Sequence, residues 1–403
     1  VTSRDPSSPP PNSCGTSATD ARLVPAEALR PRAPRDPGET LEDQLARRTA
    51  PAVLVEPGPG ASLRCVACAH RCVVAEGRSG ACGVRFNRDG ELRVPHGYVA
   101  RRYVRSVETN TIYHVHPGAR SLTFGMFGCD LRCPYCHNWH ISQAIREGDS
   151  AESPSDVTPE ALIDEAIAAG CEVVCAAYNE PMIAAEWVHA VFSEAKRRGL
   201  VTALISDGNT TPEALAYVRP VADVYRVDLK GYNNDQYRTL GGRLDPVLEA
   251  IREAKRLGFW VEVVTLVVPG FNDQPEGLRN LARQIAAIDP SIPWHLNAFH
   301  PRYKMRDRAP AHPLPLMTAA GTAYAKGLQF VYVSNLPDEL RELSHTRCPK
   351  CTHVVVRRFN YSTESVELKG GACPECGTVL PGIWGDESRV PAARVAMGQE
   401  EMP

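Results

Sequence analysis

Three cysteines at C-x3-C-x2-C spacing, Cys129, Cys133 and Cys136, lie in the run Phe127-Gly-Cys-Asp-Leu-Arg-Cys-Pro-Tyr-Cys-His-Asn-Trp139. Three thiolates from one short loop can hold three corners of a cubane iron–sulfur cluster and leave the fourth iron without a protein ligand. That open iron is where a small molecule can be chelated. Gly125 and Gly128 suit the close backbone approach that a loop around a bulky group needs. A zinc knuckle is the competing chemistry, because C-x2-C serves both metals. Zinc would need a fourth Cys or His at ribbon spacing, and His137, adjacent to Cys136, is poorly placed to close a tetrahedron.

Two further cysteine groups flank this loop. Upstream, Cys65, Cys68, Cys72 and Cys82 fall within eighteen residues, with Gly77, Gly80 and Gly83 around the last thiol. Four thiolates in so short a stretch point to one metal centre, either a structural zinc or an auxiliary iron–sulfur cluster. Downstream, Cys348-x2-Cys351 and Cys373-x2-Cys376 bracket the strand-like Val354–Phe359. Two C-x2-C knuckles at that distance predict a zinc-ribbon or rubredoxin-like unit that serves as a folding staple or docking module.

All but Cys14, Cys171 and Cys175 of the fourteen cysteines belong to these groups. Neither a signal-like apolar core nor a run of eighteen apolar residues occurs, so metal sites in a reducing, cytoplasmic setting are expected rather than disulfides. A formal charge of −2 without long basic runs argues against a sequence-independent nucleic-acid binder or a membrane-surface binder. At 403 residues and 43% hydrophobic, the chain can bury a substantial core.

Around the central loop the pattern alternates strand and helix. Strands are predicted at 121–127, 172–178, 201–206, 222–228, 260–268 and 294–299, with a further one at 330–334; helices of 3.6-residue apolar period lie between them. Two helices open on the same string, Thr158-Pro-Glu-Ala-Leu162 and Thr211-Pro-Glu-Ala-Leu215, in which Thr caps the free amides and Pro occupies the first helical position. The fold class is α/β, with a parallel sheet and helices outside. The expected division is a disordered leader (1–55), an N-terminal four-cysteine metal module (56–118), the α/β domain (119–340), a C-terminal C-x2-C module (341–386) and a tail (387–403). A short helix is expected at 41–48, near the end of the Pro- and Ser-rich leader.

From about 61 to 385 the chain resembles the radical S-adenosylmethionine (SAM) superfamily, and within it the radical SAM member of the AmmeMemoRadiSam system, related to glycyl-radical-enzyme activases such as that of pyruvate formate-lyase. The resemblance rests on Cys65–Arg85, the cluster loop with His137-Asn-Trp139, Tyr178-Asn-Glu-Pro181, Val227-Asp-Leu-Lys-Gly231, Val268-Pro-Gly-Phe-Asn-Asp273, Phe299-His-Pro301 and the closing C-x2-C pairs. It implies a partial (β/α)6 TIM-like barrel whose chemistry gathers at the C-terminal ends of the strands. It also implies that Cys129, Cys133 and Cys136 bind a 4Fe–4S cluster. Asn179 and Glu180 would take the SAM amino group, and Ser206 and Asp207 its ribose or methionyl end. Asp228 and Lys230 would face SAM or pair with each other. Val268 and His300 would line the adenine, which Tyr135 would meet through its backbone. Two departures from the family pattern fall near this pocket: His137, where Gln is common, and Ser206-Asp-Gly-Asn209, where Thr-Asn-Gly-Tyr is common.

The activity implied is reductive cleavage of SAM to a 5′-deoxyadenosyl radical that abstracts hydrogen from a small-molecule, peptide or protein substrate. The electron would come from a donor such as flavodoxin or ferredoxin. No side chain is assigned as acid, base or nucleophile, since the cofactors carry the chemistry. One alternative is an activase that installs a glycyl radical on a protein partner. Another, of a different class, is a non-catalytic iron–sulfur or zinc regulator, against which Tyr178-Asn-Glu-Pro181 speaks.

Overall fold

Eight strands hydrogen-bond in the order of the chain: β1 (Arg101–Ser106), β2 (Arg120–Gly125), β3 (Cys171–Ala176), β4 (Val201–Ser206), β5 (Val224–Asp228), β6 (Trp260–Val267), β7 (Trp294–Ala298) and β8 (Val331–Ser334). β1 is antiparallel to β2, and every later neighbour is parallel. The computed structural model describes residues 39–385 except 149, 151 and 360. Cys14, most of the predicted leader and the predicted tail lie outside the described residues.

The order follows from the sequence pattern. Strands such as Trp260–Val267 (WVEVVTLV) are rich in β-branched residues and buried on both faces, as a parallel sheet between layers requires. Each crossover carries a helix, and the caps form as the strings predict: Thr158 Oγ1 accepts from Ala161 N–H at 3.2 Å and Thr211 Oγ1 from Ala214 N–H at 3.1 Å. Consecutive order with helical crossovers brings the C-terminal ends of β2–β8 to one edge.

The opposite edge is plugged. Ile112 and Val115, on the connection from β1 to β2, pack against Val173, Cys175, Ala203 and Val224 of the sheet. Cys175 is thus a core residue, its thiol pushed up to about 12 by burial. The fully buried Glu262 fixes the plug, accepting from Tyr113 N–H (3.0 Å), His114 N–H (2.9 Å), Trp260 Nε1 (3.0 Å) and His295 Nε2 (2.7 Å).

Two cysteine-bearing segments dock on this frame. The C-terminal one is an antiparallel sheet of Thr346–Arg347, Val354–Phe359 and Ser362–Val366. Its buried Arg358 donates to Thr346 Oγ1 (2.7 Å) and to Tyr113 O (2.6 Å) in the plug. The N-terminal segment is locked by a buried bidentate pair: Arg85 Nη1 and Nη2 reach the Glu186 carboxylate at 2.9 and 2.8 Å, and Glu186 also accepts from the amides of Val53 and Leu54. Among the described residues, regular structure is present before the predicted boundary at 55. After the expected helix, seen at Leu41–Ala46, Thr49–Pro51 pairs with Glu91–Pro95 and Val55–Pro57 with Leu63–Cys65. Local composition missed the first of these because its strand partner lies some forty residues away.

Candidate active site and metal loops

Past β2 the chain turns through Met126–Gly128 into the cysteine loop, and Asn179 fixes that turn. Its Oδ1 accepts from Met126 N–H (3.1 Å) and its Nδ2 donates to Gly128 O (3.0 Å). Gly128 has φ +87°, and a Cβ there would stand 2.8 Å from Val84 Cγ1 and 2.9 Å from Cys82 O, so no other residue fits. Arg146 tethers the loop from behind: Nη1 donates to Leu131 O (2.8 Å), and Nη2 to both Cys129 O and Ala81 O (2.7 Å each).

The three thiols are set in an apolar surround. Leu131, Cys133, Tyr135 and Val268 share a buried cluster, with Cys129, Cys136 and Phe271 packed against it. Burial pushes Cys133 up to about 12, and Cys129 and Cys136 also rise. Such thiols stay protonated unless a cation ligates them, which suits a metal-cluster loop and makes them poor free nucleophiles.

Three buried carboxyl groups converge beside Cys129. Asp207 Oδ2 lies 3.9 Å from Cys129 Sγ, and oxygens of Asp130 and Asp207 lie with that sulfur in one group within 4.8 Å. Asn209 spans the two acids, its Nδ2 donating to Asp130 Oδ2 (2.8 Å) and its N–H to Asp207 Oδ1 (3.0 Å). Burial raises all three pKa values, Asp130 to about 6, and the charges add to it: Glu180 acts on Asp130, Asp130 on Asp207, and Asp207 on Glu180. A cationic ligand would relieve this repulsion.

Glu180 is already occupied. Its Oε1 accepts from Met182 N–H and Ser206 Oγ (3.0 Å each), and its Oε2 from Asp207 N–H (2.7 Å) and Ser206 Oγ (3.1 Å). Asp228 and Lys230 lie side by side at the end of β5, with Nζ 3.0 Å from Oδ2, and Arg226 holds the other oxygen at 2.5 Å. Burial works against the Lys230 charge, yet Asp228 and Cys133 beside it hold its pKa well above the usual value. Val268 is fully buried past β6, half-buried His300 lies past β7, and Tyr135 turns its ring toward Phe271 at 5.8 Å. Among the described residues, Tyr135 Oη and His137 Nε2 are buried without a hydrogen-bond partner.

Every residue predicted for the central site therefore lies at or just past the end of a parallel strand or sits in the cysteine loop. Sequence reasoning passed over Asp130 and Arg146, and it marked Asn209 as a departure near the pocket without giving it a role. Asp130 had a signal, an acid between two metal-type cysteines; Arg146 had none.

The flanking cysteines differ in spacing. Cys348 and Cys376 have sulfurs 3.6 Å apart, as do Cys351 and Cys373, and all four lie within 4.8 Å. In the upstream loop, Cys65 N–H donates to Cys72 O (2.9 Å), Arg71 N–H to Cys68 O (3.0 Å) and Ala81 N–H to Cys72 Sγ (3.3 Å). This loop is stitched to the site by Ala69 N–H donating to Asn209 O (3.0 Å), Thr211 Oγ1 donating to Val66 O (2.5 Å) and His70 Nε2 lying 3.2 Å from Asp130 O.

The family model of the radical SAM superfamily matches residues 124–282, from the end of β2 through the cysteine loop and past β6. Over 321 residues the chain is 32% identical to an uncharacterized protein of Methanocaldococcus jannaschii, covering 78% of this chain and 94% of that one. The chain belongs to the radical SAM superfamily. It is a radical SAM enzyme, and membership implies SAM and a 4Fe–4S cluster as cofactors. The pyruvate formate-lyase-activating enzyme of Staphylococcus aureus is 27% identical over 198 residues, covering 46% of this chain and 76% of that enzyme. Among solved structures, a domain of the pyruvate-formate lyase-activating enzyme from Bacteroides vulgatus aligns with 40% of this chain and 98% of that domain, at 15% identity and a TM-score of 0.34. Among the described residues, no helix is long and apolar enough to cross a membrane.

Proposed function

We propose that Cys129, Cys133 and Cys136 hold the 4Fe–4S cluster and that SAM binds across the fourth corner, against Asp207. When bound, these cofactors supply a one-electron cleavage of SAM to methionine and a 5′-deoxyadenosyl radical that takes hydrogen from a substrate. The observation that carries this reading is the carboxylate of Asp207 3.9 Å from Cys129 Sγ, inside a group of buried acids suited to an ammonium. Asp207 accepts that ammonium. Glu180, Ser206 and Asn179 act one step back, fixing the turn at 206–209 and the cysteine loop. Lys230 offsets negative charge beside Cys133, and Val268 and Tyr135 keep water from the adenine side, with His300 at its rim.

In this reading the sheet is a partial barrel, with metal-bearing modules at 56–118 and 341–386. The substrate is a small molecule, a peptide or a protein, and the electron donor is of the flavodoxin or ferredoxin class. Identity to the S. aureus activase favours a second reading, hydrogen abstraction from a glycine of a protein partner. The test is anaerobic reconstitution with iron and sulfide, reduction, and assay for 5′-deoxyadenosine. The intact chain is expected to form it, and the Cys129→Ala/Cys133→Ala/Cys136→Ala variant to form none. Product from the triple variant would refute the assignment.

A further inference from the structure

The chain carries three cysteine groups, and their internal spacing sorts them by the size of what they enclose. A single zinc ion, with Zn–S bonds of about 2.3 Å, holds four thiolates on a tetrahedron whose edges are roughly 3.8 Å. The C-terminal group has that compactness, with 3.6 Å between paired sulfurs. Among the described residues, by contrast, no three of Cys65, Cys68, Cys72 and Cys82 bring their sulfurs mutually within 4.8 Å, and the same is true of Cys129, Cys133 and Cys136. A cubane spreads its ligands, because four irons stand between the thiolates.

We propose that Cys65, Cys68, Cys72 and Cys82 hold a second cubane iron–sulfur cluster, placed to pass electrons to the centre at Cys129, Cys133 and Cys136. The surroundings suit a bulky inorganic core. Cys65, Cys68 and Cys82 are buried and Cys72 is half-buried. The amide of Ala81 already points at Cys72 Sγ, the kind of N–H···S contact that tunes cluster potentials.

Placement supplies the second half of the argument. One guanidinium nitrogen, Arg146 Nη2, bonds Ala81 O beside Cys82 and also Cys129 O. A Cβ on Gly128 would stand only 2.9 Å from Cys82 O, so the two cysteine loops pack backbone against backbone. Tunnelling falls steeply with distance, and contact of this kind keeps the path short. An external low-potential carrier loses one electron to the N-terminal centre, that centre passes it on, and it returns to its starting state while the SAM-binding centre is left one electron more reduced.

The proposal deepens the SAM-cleavage reading and rests on it for the acceptor. The full chain, reconstituted anaerobically, is expected to hold about eight iron ions, about eight acid-labile sulfides and about one zinc. Finding about four iron ions and about two zincs instead would overturn it. The Cys65→Ser/Cys68→Ser variant is expected to lose half of the iron while keeping SAM cleavage by a small chemical reductant. The Cys129→Ala/Cys133→Ala/Cys136→Ala variant is expected to keep the other half and lose cleavage. Iron in the first variant equal to that of the parent would sink the N-terminal cluster alone, whereas cleavage surviving in the second would sink the SAM-site reading. Electron paramagnetic resonance of the reduced parent is expected to show two centres broadened by each other, with the broadening gone in both variants. Two unperturbed signals in the parent would refute the relay.

Discussion

Asp207 places a carboxylate oxygen 3.9 Å from Cys129 Sγ, while the neighbouring acid, Glu180, has both oxygens filled by Ser206 and by the amides of Met182 and Asp207. Of the three buried acids near the loop, Asp130 and Asp207 face Cys129, at 3.8 and 3.9 Å, and Glu180 is turned to the backbone. Asp207→Asn is expected to weaken SAM binding by about 10- to 100-fold, the equivalent of about 1.5–3 kcal/mol for a hydrogen bond to a charged group, with the iron content unchanged. Glu180→Gln is expected to cost about 1–3 kcal/mol of stability, because it turns an acceptor of two amides into a partial donor. Calorimetric titration with SAM and thermal melts separate the two. A larger affinity loss in the Glu180 variant at unchanged stability would reverse the roles.

Much of this site was legible in the sequence. The cysteine loop, the alternation of strand and helix and the strand-end motifs are local patterns, and each lies where the spacing predicts. That the Ser206 hydroxyl and two backbone amides point at Glu180 while Asp207 faces Cys129 was not legible, because these contacts join residues from different strand ends. Asn179 shows the same limit, since its amide serves the Met126–Gly128 turn. Residues 92–105 read as strand-like in sequence, but the antiparallel pairing of β1 with β2 and the early pairing of Thr49–Pro51 with Glu91–Pro95 were not legible, because pairing is set by partners outside the local pattern.

The plug at the N-terminal edge sets a pH dependence. Burial holds His114 down to about 4, so its folded pKa lies below the ordinary 6.5 and its contribution is complete only above pH 6.5. Lowering the pH from 6.5 toward 4 protonates the unfolded chain first and removes up to about 3 kcal/mol. Burial opposes the charge of Glu262, but the His295 hydrogen bond holds its carboxyl down to about 2, so its share is lost below pH 4.5 in the same direction. The melting temperature is expected to fall between pH 7 and 5, and the fall should be shallower in His114→Gln. Parallel curves for parent and variant would contradict this.

Arg85 and Glu186 form a buried ion pair with side-chain exposures of 1% and 5%, and it ties the N-terminal cysteine segment to the helix Ala185–Arg197. Removing one partner leaves the other charge buried, which costs about 3–5 kcal/mol. Arg85→Met is therefore expected to loosen residues 49–88 while the C-terminal unit stays protected. Hydrogen exchange is the measurement. Uniform loss of protection would show that the pair supports the whole fold rather than this docking.

The C-terminal cysteines are expected to bind about one zinc ion per chain, as the 3.6 Å sulfur pairs suit Zn–S bonds of about 2.3 Å. The unit they staple is small: three short strands with a core of a few residues, among them Val355, Val356, Leu368 and Leu380. So small a core needs the metal to fold, yet Arg358 from this unit holds the plug through Tyr113 O. Cys351→Ser is thus expected to act at two levels. It should lower zinc content to near zero and unfold 346–380, and it should also expose the amides of 112–115, because Arg358 no longer anchors them. The iron content should stay at the parent's level, since no cysteine of the other two groups lies in this unit. Elemental analysis with segment-resolved hydrogen exchange checks both levels. Protection of 112–115 unchanged after zinc loss would mean that Glu262 alone holds the plug, and loss of iron together with zinc would mean that the C-terminal unit supports the cluster side as well.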